Sequence, residues 1–309
     1  MEPRIAILLS TFNGERYLHE QLESLLAQTY ANWTLYWRDD GSSDGTAAMM
    51  QDFSRAAGQG RCVHVDDIPG RLRPTASFLA LLRAAHPALG EADMVAFADQ
   101  DDVWLPEKLA RGAAALQQAD RAVPSLYCAR QILVDAGLRR IGVSRGIGQP
   151  AGFPAALTQN VTTGCTIMLN HRASALIAAS QPPSATLHDW WCYLAVTAAG
   201  GALLDDDEPV VLYRQHTDNL VGAPRSMSRR AIAAMQRGSS VFMNVLRQHV
   251  AALAAQPELM SPATRAQVSA IDRALNGGAA RRLAVLRMPG LRRQTWPETM
   301  LFRIWFLFG

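Results

Sequence analysis

The sequence predicts an α/β protein with a mostly parallel central sheet, helices on both faces and a C-terminal helical extension. Two observations predict it. Between Ile5 and Ala119, apolar runs of strand length alternate four times with helical patterns, the signature of a parallel sheet covered on both sides. The charge is also divided along the 309-residue chain. The total is +3, but residues 1–220 carry 16 Arg, one Lys and 24 acidic residues, a balance of −7. Residues 221–309 carry 13 Arg, no Lys and three acidic residues, a balance of +10. The predicted boundary falls near Val221.

Ile5 to Leu9 reads as a fully buried strand. Glu15 to Gln28 reads as a helix with Leu18, Leu22, Leu25 and Leu26 on one face. Trp33 to Trp37 is a second strand, and it runs into Asp39-Asp-Gly-Ser-Ser-Asp-Gly-Thr46, a dense turn and helix-cap signal. A helix over Thr46 to Ala57 follows, then a strand over Cys62 to Val65 and a helix over Thr75 to Ala85. Met94 to Ala98 is a fourth strand, followed by Asp99-Gln-Asp-Asp102 and a helix from Pro106 to Ala119, with proline in its first turn. Beyond this the alternation weakens. Leu126 to Cys128, Ile132 to Val134, Gly164 to Leu169 and Val210 to Tyr213 suit strands, and His188 to Ala199 suits a helix. From Val221 the pattern is helical, over Ser228 to Ala255 and Pro262 to Leu275, before a basic and hydrophobic ending.

Composition removes several classes. Lys108 is the only lysine, so a phosphate loop ending in Gly-Lys-Ser/Thr is excluded and a Schiff-base enzyme has one candidate nucleophile. The small net charge argues against general nucleic-acid binding. Cys62, Cys128, Cys165 and Cys192 have no metal-site spacing and read as reduced thiols of a cytosolic protein. The N-terminal apolar run is too short for a signal peptide.

Three polar clusters follow predicted strands: Ser10 to Asn13, Asp39-Asp40, and Asp99-Gln-Asp101-Asp102. In open α/β sheets, ligands bind beyond the carboxyl ends of the strands. Adjacent carboxylates repel unless a cation offsets them, and carboxylate oxygens suit Mg²⁺ or Mn²⁺. Taken singly, each cluster could equally be a capped turn or an acidic helix start.

Taken in order, the motifs resemble the family-2 glycosyltransferases with the GT-A fold. The likeness is carried by Ile7-Leu-Leu-Ser-Thr-Phe-Asn-Gly-Glu-Arg-Tyr-Leu18, Ser24 to Tyr30, Asp39 to Thr46, and the DxD-like Phe97-Ala-Asp-Gln-Asp-Asp-Val-Trp104. Asn160 to Thr166, His188-Asp-Trp-Trp191 and Tyr213-Arg-Gln-His216 with Asn219 narrow it to rhamnosyltransferase-like enzymes of bacterial surface polysaccharides. The resemblance implies that Thr11, Asn13, Glu15 and Asp40 line the nucleotide site. It puts Asp99 on the ribose or metal side and Arg214 near phosphate charge. Asp101 and His216 would hold Mg²⁺ or Mn²⁺, and Asp189 would be the general base. Trp190, Trp191 and His188 become acceptor-side candidates, the tryptophans with core packing as their alternative. Many relatives have Glu where His188 stands. The partners implied are a nucleoside-diphosphate sugar, with dTDP-rhamnose favoured, and a glycan or lipid-linked acceptor. The activity implied is single-displacement, inverting transfer.

Two other readings compete. Asp99-Gln-Asp-Asp-Val103 matches the nucleophile pattern of haloacid-dehalogenase-type phosphatases, although no lysine follows Lys108. A non-catalytic transferase-like scaffold is the second. The tail mixes Arg281, Arg282, Arg287, Arg292 and Arg293 with the apolar run Thr299 to Phe308, which is too short to span a bilayer. It suits either peripheral contact with an anionic membrane on its cytoplasmic face or packing on protein, including a second subunit.

Overall fold

The computed structural model describes residues 2–58, 60–66, 70–216 and 227–309, with the backbone alone for 227–238. Asn219 and the boundary at Val221 lie outside the described residues. The chain forms two compact units. One comprises the residues up to Gly146, Thr162–Ala179 and the stretch from Leu204. The other comprises Ile147–Val161, Ser180–Leu203 and the C-terminal helices.

The first unit is built on a sheet whose strands are β1 (Ile5–Thr11), β2 (Trp33–Asp39), β3 (Cys62–His64), β4 (Met94–Ala98), β5 (Val103–Trp104), β6 (Ser125–Val134), β7 (Arg140–Val143), β8 (Met168–Asn170) and β9 (Ala202–Arg214). Their order is β3-β2-β1-β4-β8-β6-β9-β5, with β7 on β6. The expected parallel pairing holds for β1 with β2 and β4, and for β2 with β3. The other half is antiparallel. The helices are α1 (Leu18–Leu26), α2 (Thr46–Ala56), α3 (Arg73–Ala85), α4 (Lys108–Gln118) and α5 (His171–Ala179). Ile5, Ile7, Leu9, Leu35, Trp37, Ala96 and Ala98 meet Leu18, Leu22, Leu25, Leu109 and Leu116 in the core. Leu26, expected on the buried stripe of α1, is 57% exposed. The run Gly164 to Leu169 is not one strand: residues 164–166 form a 3₁₀ turn closed by Thr166 N–H to the Thr163 carbonyl, and β8 begins at Met168.

Register positions the site. Leu9 stands level with both Trp37 and Ala98, and Thr11 with Asp39, so the three parallel strands deliver their polar clusters to one edge. On the antiparallel side Val103 faces Leu212 and Trp104 faces Val211. That pairing leads the end of β9 back alongside Asp101 and Asp102.

The second unit contains α6 (His188–Ala198), α7 (Met227–Ala254), α8 (Pro262–Leu275), α9 (Ala279–Val285) and α10 (Trp296–Phe308). Every residue of α6 from Trp191 onward is buried, which fits its almost wholly apolar sequence. Ser261 caps α8 by accepting the Thr264 N–H, and Thr295 caps α10 by accepting the Glu298 N–H. Among the described residues, no helix is long and apolar enough to cross a membrane.

Candidate active site

The loops after β1 and β2 are laced into one another. Asp39 accepts the Thr11 hydroxyl at 3.0 Å, the Ser42 hydroxyl at 2.6 Å and the Ser42 N–H at 2.7 Å. Asn13, at φ 47°, accepts the Ser43 N–H through Oδ1 at 2.8 Å. Glu15 accepts the Gly45 N–H at 2.9 Å, and a Cβ on Gly45 would lie 2.6 Å from Glu15 Oε1. Asp40 is buried. It takes the Arg38 guanidinium and the Leu72 N–H on one oxygen and the Arg73 N–H on the other. Thr11, Asn13, Glu15 and Asp40 therefore gather at one edge, and their side chains hold the loops together.

Gln100 was not among the expected residues. Its Nε2 donates to the Phe12 carbonyl at 3.0 Å and its Oε1 accepts the Phe12 N–H at 2.8 Å, clamping the β4 loop to the β1 loop. A Cβ on Gly14 would lie 2.5 Å from the same oxygen, so the clamp also explains that glycine. The available signal was the middle position of Asp99-Gln-Asp101, which reads only as a spacer in sequence.

The loop after β4 has a different chemistry. Asp101 Oδ2 lies 2.8 Å from His216 Nε2, which brings together the two expected metal ligands from residues 115 positions apart. The His216 ring also lies 4.8 Å from the Tyr17 ring. Arg214, expected near phosphate, is 1% exposed. It donates from Nε to the Asp101 carbonyl at 2.8 Å and from Nη1 to the Ala136 carbonyl at 2.7 Å, and it lies over the Tyr17 ring. It braces the backbone of the Asp101 loop from inside.

Beneath that loop lies a buried floor of titratable groups. Asp102 is fully buried; Oδ1 accepts the Arg214 N–H at 3.1 Å, and Oδ2 has no hydrogen-bond partner among the described residues. Burial, and then the neighbouring Asp101 and Asp99, push its carboxyl well above the usual range. Asp99, Asp102 and Cys165 bring ligand atoms within 4.8 Å of one another. Burial raises the Cys165 thiol further, so it stays protonated and is a poor ligand in that state. Lys108 is buried with Nζ 3.6 Å over the Trp104 ring, and burial pushes its pKa down to about 7. The one candidate Schiff-base lysine is thus part of the core. At the loop itself the Asp101 carboxylate and the His216 imidazole come together, oxygen and nitrogen donors that fit a divalent cation.

Asp189 opens α6 in the second unit and accepts the Trp190 N–H at 2.6 Å. A helix N-terminus favours its anionic form. Trp190 is half-buried and donates to the Ala156 carbonyl at 2.8 Å. Trp191, offered as an acceptor wall, is 1% exposed and donates to Ser180 Oγ at 2.7 Å; it is a core residue. Burial pushes His188 down to about 3, so its ring is neutral at physiological pH.

The acidic loops gather at the carboxyl edge of the sheet, where open α/β folds bind their ligands. Residues 6–173 match the model of Glycosyl transferase family 2, and the chain belongs to that family. It is 25% identical over 226 residues to the dTDP-rhamnosyl transferase RfbG of Shigella flexneri, covering 70% of this chain and 74% of that one. It is 32% identical over 107 residues to the UDP-Glc:alpha-D-GlcNAc-diphosphoundecaprenol beta-1,3-glucosyltransferase WfgD of Escherichia coli, covering 34% and 38%. The fold is similar to that of S. aureus TarS 1-349 in complex with UDP-GlcNAc, with TM-score 0.58 and 15% identity, over 98% of this chain and 81% of that one. Family membership displaces the haloacid-dehalogenase-type alternative.

Proposed function

We propose that this chain is a metal-dependent inverting glycosyltransferase. It would move a sugar from a nucleoside diphosphate to a hydroxyl of a glycan or lipid-linked acceptor in bacterial surface-polysaccharide synthesis, on the cytoplasmic side of the membrane. The observation that carries the reading is the 2.8 Å approach of His216 to Asp101 at the edge where the nucleotide-side loops converge. The lipid-linked sugar acceptor of WfgD supports the surface-polysaccharide context, and RfbG supports dTDP-rhamnose as the first donor to test.

In this reading Asp101 and His216 would hold Mg²⁺ or Mn²⁺, which when bound supplies Lewis-acid stabilisation of the departing diphosphate, and Asp99 stands on the ribose or metal side. The loops of Thr11, Asn13, Glu15 and Asp40 form the nucleotide side. Asp189 takes the proton of the acceptor hydroxyl as that oxygen bonds to the anomeric carbon. The bond from that carbon to the diphosphate oxygen breaks, and its electron pair leaves with the nucleotide. One displacement inverts the anomeric centre. Arg214 is a positioning residue for the Asp101 loop, and Trp190 is the acceptor-side aromatic.

The test is a panel of sugar nucleotides with Mn²⁺ or Mg²⁺, following nucleoside diphosphate release and the anomeric configuration of the product by NMR. Release that needs the metal and gives an inverted product is expected. Asp189→Asn should lower turnover by about 10²- to 10⁴-fold, with little change in donor KM. No release with any donor would return the scaffold reading, and a retained anomeric configuration would remove Asp189 as the base of a single displacement.

A further inference from the structure

We propose that the outward face of α10 and the arginines around α9 seat the second unit on an anionic lipid bilayer. The inner side of α10 is accounted for. Thr299, Phe302 and Phe306 are buried, and the Phe302 ring meets Phe242 of α7 edge-on at 6.0 Å. Arg282 of α9 donates from Nη1 to the carbonyl oxygens of Phe306 and Leu307, each at 3.2 Å, satisfying the C-terminal turn.

The outer side has no such account. Trp296, Ile304 and Phe308 are 74%, 53% and 85% exposed. With Met300 they stand at successive four-residue steps, so they form one slowly winding stripe on the helix. Pro297, Leu301 and Leu307 adjoin that stripe, and the only charged residues of α10 are Glu298 and Arg303. Single exposed apolar residues are ordinary; a continuous apolar stripe with an exposed tryptophan and phenylalanine marks an interaction surface.

Charge selects the occupant. Residues 273–309 hold seven Arg, no Lys and one acidic residue. Arg281, Arg287 and Arg292 are exposed. Leu283, 50% exposed, neighbours Arg282 and so lies near the C-terminal turn of α10. A second copy of the chain would bring this cationic surface against its like. Anionic headgroups complement it, while the Trp and Phe side chains suit the boundary between headgroups and acyl chains. At 13 residues, α10 would lie in the plane of the interface.

The experiment uses the full chain and no donor, so its result is independent of the transferase reading. Sedimentation with phosphatidylcholine vesicles is compared with sedimentation with vesicles of phosphatidylcholine and phosphatidylglycerol. Binding to the anionic vesicles, reversed by high salt, is expected. W296S/I304S/F308S should weaken it about tenfold or more, with unchanged circular dichroism. R281Q/R287Q/R292Q, a separate surface variant, should remove the preference for phosphatidylglycerol. Brominated lipid should quench the wild-type tryptophan fluorescence more than that of W296F. Absent wild-type binding, or equal binding by the apolar-face variant, would overturn the proposal. So would a concentration-dependent dimer in sedimentation velocity that W296S/I304S/F308S abolishes, because the face would then belong to a second copy.

Discussion

The two acidic loops of the first unit look alike in sequence and behave differently in the fold. After β2, Asp39 and Asp40 spend their oxygens on backbone N–H groups, hydroxyls and one guanidinium. After β4, Asp101 faces an imidazole, and Asp102 is buried with an oxygen that has no hydrogen-bond partner among the described residues. The first loop is neutralised from within the protein. In the second, burial and the neighbouring Asp101 and Asp99 push the Asp102 carboxyl well above the usual range, so the protein does not stabilise these acids as anions and a cation would offset them. Paired aspartates are therefore not a site by themselves; what surrounds their oxygens decides.

The widest separation between the two loops should come from paired substitutions. Asp101→Asn should reduce transfer by about 10³-fold, a loss typical of removing one group that stabilises developing charge, while leaving the urea midpoint nearly unchanged. Retained activity in D101N would break the comparison. Asp40→Asn should act in the opposite sense, costing about 3 kcal/mol of stability, because it leaves the buried Arg38 guanidinium without its anion. Urea denaturation measures that cost, and an unchanged midpoint would show that the first loop is not held by its carboxylate.

A pH-dependent effect belongs to the second unit. Burial holds His188 down to about 3 and His249 down to about 4, against an ordinary value of 6.5. Both are neutral in the folded state. The unfolded chain takes up their protons below pH 6.5, so their contribution is complete above that pH and is lost as the pH falls towards their folded values. Each should cost about 1.4 kcal/mol per pH unit between pH 6 and 4. Denaturation curves at stepped pH should show this slope, reduced in His249→Gln. An unchanged slope would mean that the His249 ring is not held neutral.

The smallest expected effect is at the clamp between loops. Gln100→Leu keeps the volume but removes both hydrogen bonds to Phe12, at a cost of about 1 kcal/mol in stability. A rise in donor KM larger than any fall in kcat would show that the clamp shapes the nucleotide side. A change in kcat alone would place Gln100 closer to the chemistry.

Much of the fold was legible. β4 falls where its apolar run predicts, and α8 has the predicted ends. Other elements were hidden for identifiable reasons. β9 extends well before the predicted Val210 to Tyr213, through the acidic run Asp205-Asp-Asp-Glu208, which has no apolar strand pattern. It is held in the strand because Asp206 takes two hydrogen bonds from Arg111, both 2.8 Å, and one from the Tyr127 hydroxyl at 2.9 Å. β7 is a four-residue strand with a partly exposed face, too weakly apolar to signal itself. Trp190 and Trp191 are adjacent and chemically identical; only the fold makes the second a core residue and leaves the first half-buried.

The sequence by itself determined the alternating strands and helices, the acidic clusters at strand ends and the basic, apolar ending. These are local patterns, written in spacing and composition. The tertiary structure decided how the carboxylates of the two loops are partnered, that Arg214, expected near phosphate, braces the Asp101 loop, and that one face of α10 is exposed among the described residues. Each depends on groups distant in sequence meeting at a few ångströms, and the free energy of an ionised or apolar group is set by those neighbours.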